Sequence, residues 1–340
     1  MPAWMVEGRS RPKKYSSEEL AWMDLFESGE GFRVRLKPGI SAEINDTFSW
    51  LQRKASTIFQ VSSNRLGFRS TEFAQKKTAN TTRLVLFGDS SSFGWGVNQD
   101  ENYLNLLADD LRKDYPRRTI EALNFSMPGD SSEFGRLIFD KFLQDLTPDI
   151  VLIGFGANDA RLASVPHSVM ADNYKAHAGL QRIRTVLLRH SAIARVLEKI
   201  TKGHPAEAVP MPTRGIAVKP RRFRTNLTHF IEQSRAVSAK QTVLVSLCSP
   251  FEYAKVMQKT AKAHGALFLN GQLILRRSIE KLRSKKIYPE YTTKMQKAFG
   301  SLLKKEDLLY ITSDGCHPNA VGHRIIADAL YQELTEIGGL

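Results

Sequence analysis

The chain has 340 residues, 42% of them hydrophobic and 25% charged, the balance of a soluble globular protein long enough to bury a sizeable core. No uninterrupted apolar run approaches the roughly 20 residues that cross a bilayer, and the opening "MPAWMVEGRSRPKKYSSEEL" lacks the apolar stretch of a secretory signal. Cys248 and Cys316 stand far apart with no CxxC or Cys/His spacing, which speaks against a zinc site and a disulfide scaffold; HExxH and GxxxxGK[ST] are absent. The net charge of +14 is localised. Leu180 to Arg224 holds eleven Lys and Arg against two Asp and Glu, and Gln272 to Lys305 ten against two. Such segments are either solvated helix faces or a surface for an anionic partner.

Along the chain, Ser16 and Glu19 of "SSEELAWMDLFE" have capping-box spacing and predict a short helix. "FRVRLK" (Phe32 to Lys37) alternates apolar and basic residues, as a strand with one wet face does. From Arg83 a regular alternation begins. "RLVLF", "TIEALNF", "DIVLIGF", "QTVLVSL", "ALFLN" and "LLYIT" read as strands, with helical segments such as "NYLNLLADDLRKDY" and "SEFGRLIFDKFLQDL" between them. Strands this apolar, alternating with helices, predict a parallel sheet covered on both faces. The stretch from about 161 to 240 interrupts the pattern, and prolines 205, 210, 212 and 220 forbid a continuous helix there. It reads as a basic, lid-like insertion.

Ligands of an open α/β sheet bind beyond the carboxyl ends of its strands, so the residues that follow each strand carry the functional reading. These are Gly88-Asp89-Ser90, then Ser126-Met127-Pro128-Gly129, then Gly156-Ala157-Asn158-Asp159, and finally "SDGCHPN" with Asp314 and His317. A serine hydroxyl attacks only when an adjacent base takes its proton. His317 can be that base, with Asp314 holding the imidazole. The oxyanion of a tetrahedral intermediate needs preset donors, and the Ser90 N–H, the Gly129 N–H and the Asn158 amide are the candidates. Gly-Asp-Ser-Ser occurs twice, at Gly88–Ser91 and Gly129–Ser132. Only the first copy has the downstream glycines, Gly94 and Gly96, so Ser90 rather than Ser131 is the expected nucleophile. His323, inside a helical pattern, reads as structural.

With these residues in place, the chain resembles the SGNH hydrolases, the group that holds the GDSL esterases and lipases. The four blocks are "FGDSSSFGWG", "NFSMPGDSS", "GFGANDA" and "SDGCHPN". The resemblance implies Ser90 as nucleophile, Gly129 and Asn158 as oxyanion donors, His317 as base and Asp314 as its partner. It also implies a flavodoxin-like three-layer α/β/α sandwich with strand order 2-1-3-4-5. The second block departs from the pattern at Ser126, where glycine is frequent, and about 80 residues precede the first block. An α/β-hydrolase is disfavoured because GxSxG is absent.

The expected organisation is an N-terminal extension or small subdomain over residues 1–82 and a hydrolase domain over 83–340, with the insertion at about 161–240. The expected activity is hydrolysis of an O-acyl ester, such as an O-acetyl ester, on a carbohydrate or lipid through an acyl-enzyme. The alternatives are O-acyl transfer to a polysaccharide or glycolipid from the same site, and a non-catalytic module that binds an anionic surface. No cofactor or metal is expected. Partners would be the ester substrate and an anionic membrane or acidic polymer met by segments 180–224 and 272–305, with nucleic acid disfavoured. The expected location is cytoplasmic or peripheral at a membrane surface.

Overall fold

The alternation read from the sequence folds as one parallel sheet between two helical layers. The computed structural model describes residues 21–45, 58–194, 196–197, 214–311 and 315–336. In chain order it runs β1 (Phe26–Ser28), β2 (Val34–Leu36), β3 (Ser41–Asn45), β4 (Ile58–Ser62), β5 (Thr81–Gly88), α1 (Ser90–Phe93), α2 (Tyr103–Asp114), β6 (Thr119–Asn124), α3 (Ser132–Leu146) and β7 (Ile150–Gly154). It continues with β8 (Leu162–Ala163), α4 (His167–Ala176), α5 (Ala178–His190), β9 (Gly215–Ile216), α6 (Pro220–Ala236), β10 (Gln241–Val245), α7 (Phe251–His264), β11 (Leu267–Leu269), α8 (Gly271–Arg283), α9 (Pro289–Phe299) and α10 (Ala320–Glu336).

The central sheet has the order β11-β10-β7-β5-β6, every neighbouring pair parallel. Counted along the chain this is 2-1-3-4-5, the flavodoxin-like order. The period of two along a strand sorts its side chains between the layers. Val85 and Phe87 of β5 join Val151 and Ile153 of β7 in a core with α3, α6 and α7. Leu84 and Leu86 join Ile150 and Leu152 in a second core with α2, α8 and α10. Burial on both faces is why these strands read as continuous apolar runs.

The chain before β5 forms two antiparallel ribbons, β1–β2 and β3–β4. Leu36, Ile44, Phe59 and Val61 of these ribbons bury themselves against Phe93, Trp95 and Ile311, beside the first Gly-Asp-Ser-Ser.

Several expectations change. "FRVRLK" contains a strand, but Arg33 and Arg35 are buried, each held by carboxylates, so neither face is wet. Of the N-terminal helix, the capping box lies outside the described residues; Ala21–Leu25 is a 3-10 turn and Phe26–Ser28 a strand. "LLYIT" adds no strand to the sheet. A 3-10 turn, Lys305–Leu308, leads into it, and among the described residues Tyr310 forms an isolated antiparallel bridge with Pro318. Pro220 opens α6 as its first residue, a position that needs no N–H donor. α6 packs on α3, α7 and β10, so it is the crossover helix between β7 and β10. Cys248 and Cys316, 68 residues apart, form a disulfide with Cα atoms 4.7 Å apart, against the expectation that they stand separate.

Candidate active site

β5 ends beside Gly154 of β7 at Gly88, where α1 folds back over the strand. A Cβ at Gly88 would stand 2.5 Å from Ser92 Cβ and 2.7 Å from the Gly154 carbonyl oxygen, so only glycine permits that approach. Asp89 caps the turn: its Oδ1 accepts from the Ser91 N–H at 2.9 Å and the Ser91 hydroxyl at 2.6 Å. Burial pushes the Asp89 carboxyl above the usual carboxylate range. Of the three consecutive serines, Ser91 and Ser92 are buried and Ser90 is half-buried, at the first position of α1. Tyr103 donates to the Ser92 hydroxyl at 3.1 Å, so that serine is a packing element.

Ser90 Oγ lies 2.8 Å from His317 Nε2, across 227 residues of sequence. The loop that carries His317 is tied at both flanks. The Ile311 N–H donates to the His317 carbonyl at 2.9 Å, and the Asn319 N–H to that of Leu309 at 2.8 Å. Cys316, the residue before His317, is covalently tethered to Cys248 beyond β10. Asp314 lies outside the described residues. His323 is wholly buried, its Nδ1 accepts from the Tyr103 N–H at 3.2 Å, and burial holds its pKa down to about 3. It is a neutral core histidine, as read from the sequence.

Met127–Asp130 is a β-turn closed by the Asp130 N–H on the Met127 carbonyl at 3.2 Å, with Pro128 second and Gly129 third at φ +79. That is the type II pattern, in which a positive φ at the third position favours glycine. Asn158 Nδ2 donates to the Asp130 carbonyl at 2.9 Å, so the third block is fastened to the second. Among the described residues, neither the Ser90 N–H nor the Gly129 N–H has a hydrogen-bond partner.

The second Gly-Asp-Ser-Ser is a junction. Arg33 of the N-terminal ribbon donates from Nε to Asp130 Oδ1 at 2.7 Å and from Nη2 to the Pro128 carbonyl at 2.6 Å. Both side chains of this ion pair are fully enclosed, 0% and 1% exposed. Burial pushes the Asp130 carboxyl up to about 6 even against the adjacent guanidinium. Ser131 Oγ lies 2.9 Å from Nδ1 of His167, the first residue of α4, whose ring stacks on Phe134. Ser131 thus also faces a histidine, but it is 0% exposed, whereas Ser90 is only half-buried. Ser132 donates its N–H and hydroxyl to Asp159, which also accepts from the Gly156 N–H at 3.1 Å. Burial pushes the Asp159 carboxyl up to about 7.

The turn that follows Ser90 has its own brace. Arg69 Nη1 donates to the Phe93 and Gly94 carbonyls at 3.0 and 2.7 Å, and Nη2 to those of Val97 and Gln60 at 2.6 and 2.8 Å. Its burial lowers the guanidinium pKa to about 10. The sequence reading missed Arg33, Arg69, His167, Asp159 and the disulfide. The one available signal was the pair of arginines in "FRVRLK", charges set between the apolar residues of a strand. Among the described residues, no group of three or more His, Cys, Asp or Glu could hold a metal ion.

A strand-end serine on a glycine-flanked turn, a histidine at hydrogen-bond distance and two open backbone donors define a serine-hydrolase type of site. Residues 86–325 match the GDSL-like lipase/acylhydrolase family, and the chain belongs to that family, one of carboxylic ester hydrolases. A curated relative, an arylesterase of Vibrio mimicus, is 33% identical over 91 residues, which is 27% of this chain and 44% of that protein. The match thus spans less than half of that relative's length. Among solved structures, the psychrotrophic esterase EstA from Pseudoalteromonas sp. is 18% identical over 77% of this chain and 100% of its own, with a TM-score of 0.43. A variant of Axe2, an acetyl xylan esterase from Geobacillus stearothermophilus, is 16% identical over 74% of this chain and 94% of its own, with a TM-score of 0.42.

Proposed function

We propose that the chain hydrolyses O-acyl esters through an acyl-enzyme on Ser90. Ser90 Oγ attacks the ester carbonyl carbon while its proton passes to His317 Nε2, and the C=O electron pair moves onto oxygen. The resulting oxyanion is met by the Ser90 and Gly129 N–H groups and the Asn158 amide. Collapse expels the alcohol, which takes the proton from His317; water then repeats the sequence and releases the acid. Asp314 is assigned to orient the imidazole and stabilise its cation. The observation that carries this reading is the 2.8 Å approach of Ser90 Oγ to His317 Nε2 at a half-exposed serine.

For the substrate we infer a short acyl group, such as acetyl, on a carbohydrate or lipid alcohol. The N-terminal 82 residues are assigned a working part in the site, because Arg33 and Arg69 reach the two loops on which the chemistry rests. The Cys248–Cys316 disulfide favours an oxidising compartment over the cytoplasm.

Fluorophosphonate labelling with peptide mapping tests the nucleophile. Label on Ser90, abolished in Ser90→Ala and kept in Ser131→Ala, is expected. Label on Ser131 would refute the assignment. Incubating an acyl ester with and without an acceptor sugar separates hydrolysis from transfer: free acid in both tubes is expected, and acylated sugar would replace hydrolysis by transfer.

A further inference from the structure

Among the described residues, nothing covers an apolar face of helix α5. Leu180, Ile183, Val186 and Leu187 are 67%, 59%, 49% and 53% exposed. At about 100° per residue these positions fall on one side of the helix. The opposite side is where α5 docks on the N-terminal ribbon: Gln181 Oε1 accepts from the Gly31 N–H at 3.0 Å, and Thr185 is buried. The exposed face therefore belongs to a seated helix, with its other side already used. Beyond the helix, Ile193, Val196 and Leu197 are exposed as well.

Between Asp172 and Glu198 the charges along the chain are all basic. Exposed Arg182 lies one step beyond one edge of the apolar arc, and Arg184, beyond the other edge, reaches back to Ser28 Oγ of the β1–β2 ribbon at 3.4 Å. From residue 173 to 197 the chain has Lys175, Arg182, Arg184, Arg189 and Arg195 and no Asp or Glu. An apolar arc edged by arginines matches a lipid surface with anionic headgroups: the aliphatic groups enter the acyl boundary while the guanidinium groups reach the phosphates. No described helix is long and apolar enough to cross a membrane, so α5 would lie in the plane of the surface. A second copy of the chain fits less well. A two-fold contact would set the same arginine-edged face against itself, with no acid from 173 to 197 to answer the charge.

We propose that α5 docks this protein on an anionic lipid membrane through Leu180, Ile183, Val186 and Leu187, with Arg182 on the headgroups. α4 joins α5 to the second Gly-Asp-Ser-Ser through His167. Leu162 and Ile216, cross-strand partners on the β8–β9 ribbon a few residues beyond Asn158, are exposed too. The proposal goes beyond the esterase reading and stands if that reading fails.

The test is flotation of the full chain with vesicles of phosphatidylcholine alone and of phosphatidylcholine mixed with phosphatidylglycerol. Wild type is expected to float with the anionic vesicles, less so at high salt, and little with the neutral ones. The double variant Ile183→Glu/Leu187→Glu should lose more than about tenfold in partitioning, since two buried aliphatic groups are exchanged for charges. Arg182→Gln should weaken binding to anionic vesicles only. Hydrolysis of a soluble p-nitrophenyl ester and the thermal midpoint, both unchanged, would show that the variants fold. Three results overturn the proposal: no flotation with either vesicle, undiminished flotation of the double-Glu variant, or a wild-type dimer that this variant splits without wild type floating.

Discussion

Arg33 offers the sharpest test of the proposed oxyanion site, because it lies outside the residues that match the family yet touches both residues flanking Gly129. Arg33→Lys keeps the charge, but an ammonium lacks the planar fork that donates to Asp130 and Pro128 together. The turn that presents the Gly129 N–H then loses its fixed position. A displacement of about 1 Å, or loss of one oxyanion donor, costs on the order of 10²-fold in rate. We expect kcat on a soluble ester to fall by about that factor in Arg33→Lys with KM nearly unchanged, since the oxyanion exists only after attack. Arg33→Ala strands the Asp130 carboxyl and should also cost about 3–5 kcal/mol of stability. Arg35→Gln is the control. Its partners are Glu27 and Glu30 of the same ribbon, so it should lower the thermal midpoint and leave kcat alone. If Arg33→Lys and Arg35→Gln lower stability alike while both keep wild-type kcat, Arg33 is a structural bond and no more.

Two further outcomes are expected. Reducing the Cys248–Cys316 disulfide, or replacing both cysteines by serine, releases a loop of 68 residues; the chain-entropy relation gives a loss of about 4 kcal/mol, read by denaturant titration. Fluorophosphonate labelling should slow in the same sample, because Cys316 adjoins His317, and unchanged stability and labelling would refute the tether. Asp159 should make stability pH-dependent: burial raises its folded-state pKa to about 7, above the unfolded value near 3.9, so its contribution is full below about pH 4 and is lost as pH rises through 7. Asp159→Asn should remove up to about 1.4 kcal/mol per pH unit of that slope, and parallel curves for the two proteins would count against a raised pKa.

The sheet was legible because its strands are buried on both faces and so read as unbroken apolar runs; β5 has no exposed residue in eight. The residues that follow those strands were legible for the same reason, since a parallel sheet gathers its strand ends at one edge. "LLYIT" has the same composition and forms no sheet strand, because its backbone pairs within the loop that carries His317. Composition records burial and not the partner. Arg33 and Asp130 are 97 residues apart, and a buried arginine looks like a solvated one until its acid is found. Cys248 and Cys316 likewise had no spacing to betray them.

The brace on the turn after Ser90 bears on how such a chain can change over time. Residues 86–325 carry the family's pattern, but Phe93, Gly94 and Val97 deliver their carbonyl groups to Arg69, and the Pro128 carbonyl goes to Arg33. The matched portion thus shares the backbone of its two loops with the N-terminal ribbons. An N-terminal segment from another relative could replace this one only if it brought two guanidinium groups to the same two places. The ribbons and the catalytic sheet are bound to be inherited as a unit, and variation accepted at Arg33 or Arg69 should be matched by change at Asp130 or in the turn after Ser90.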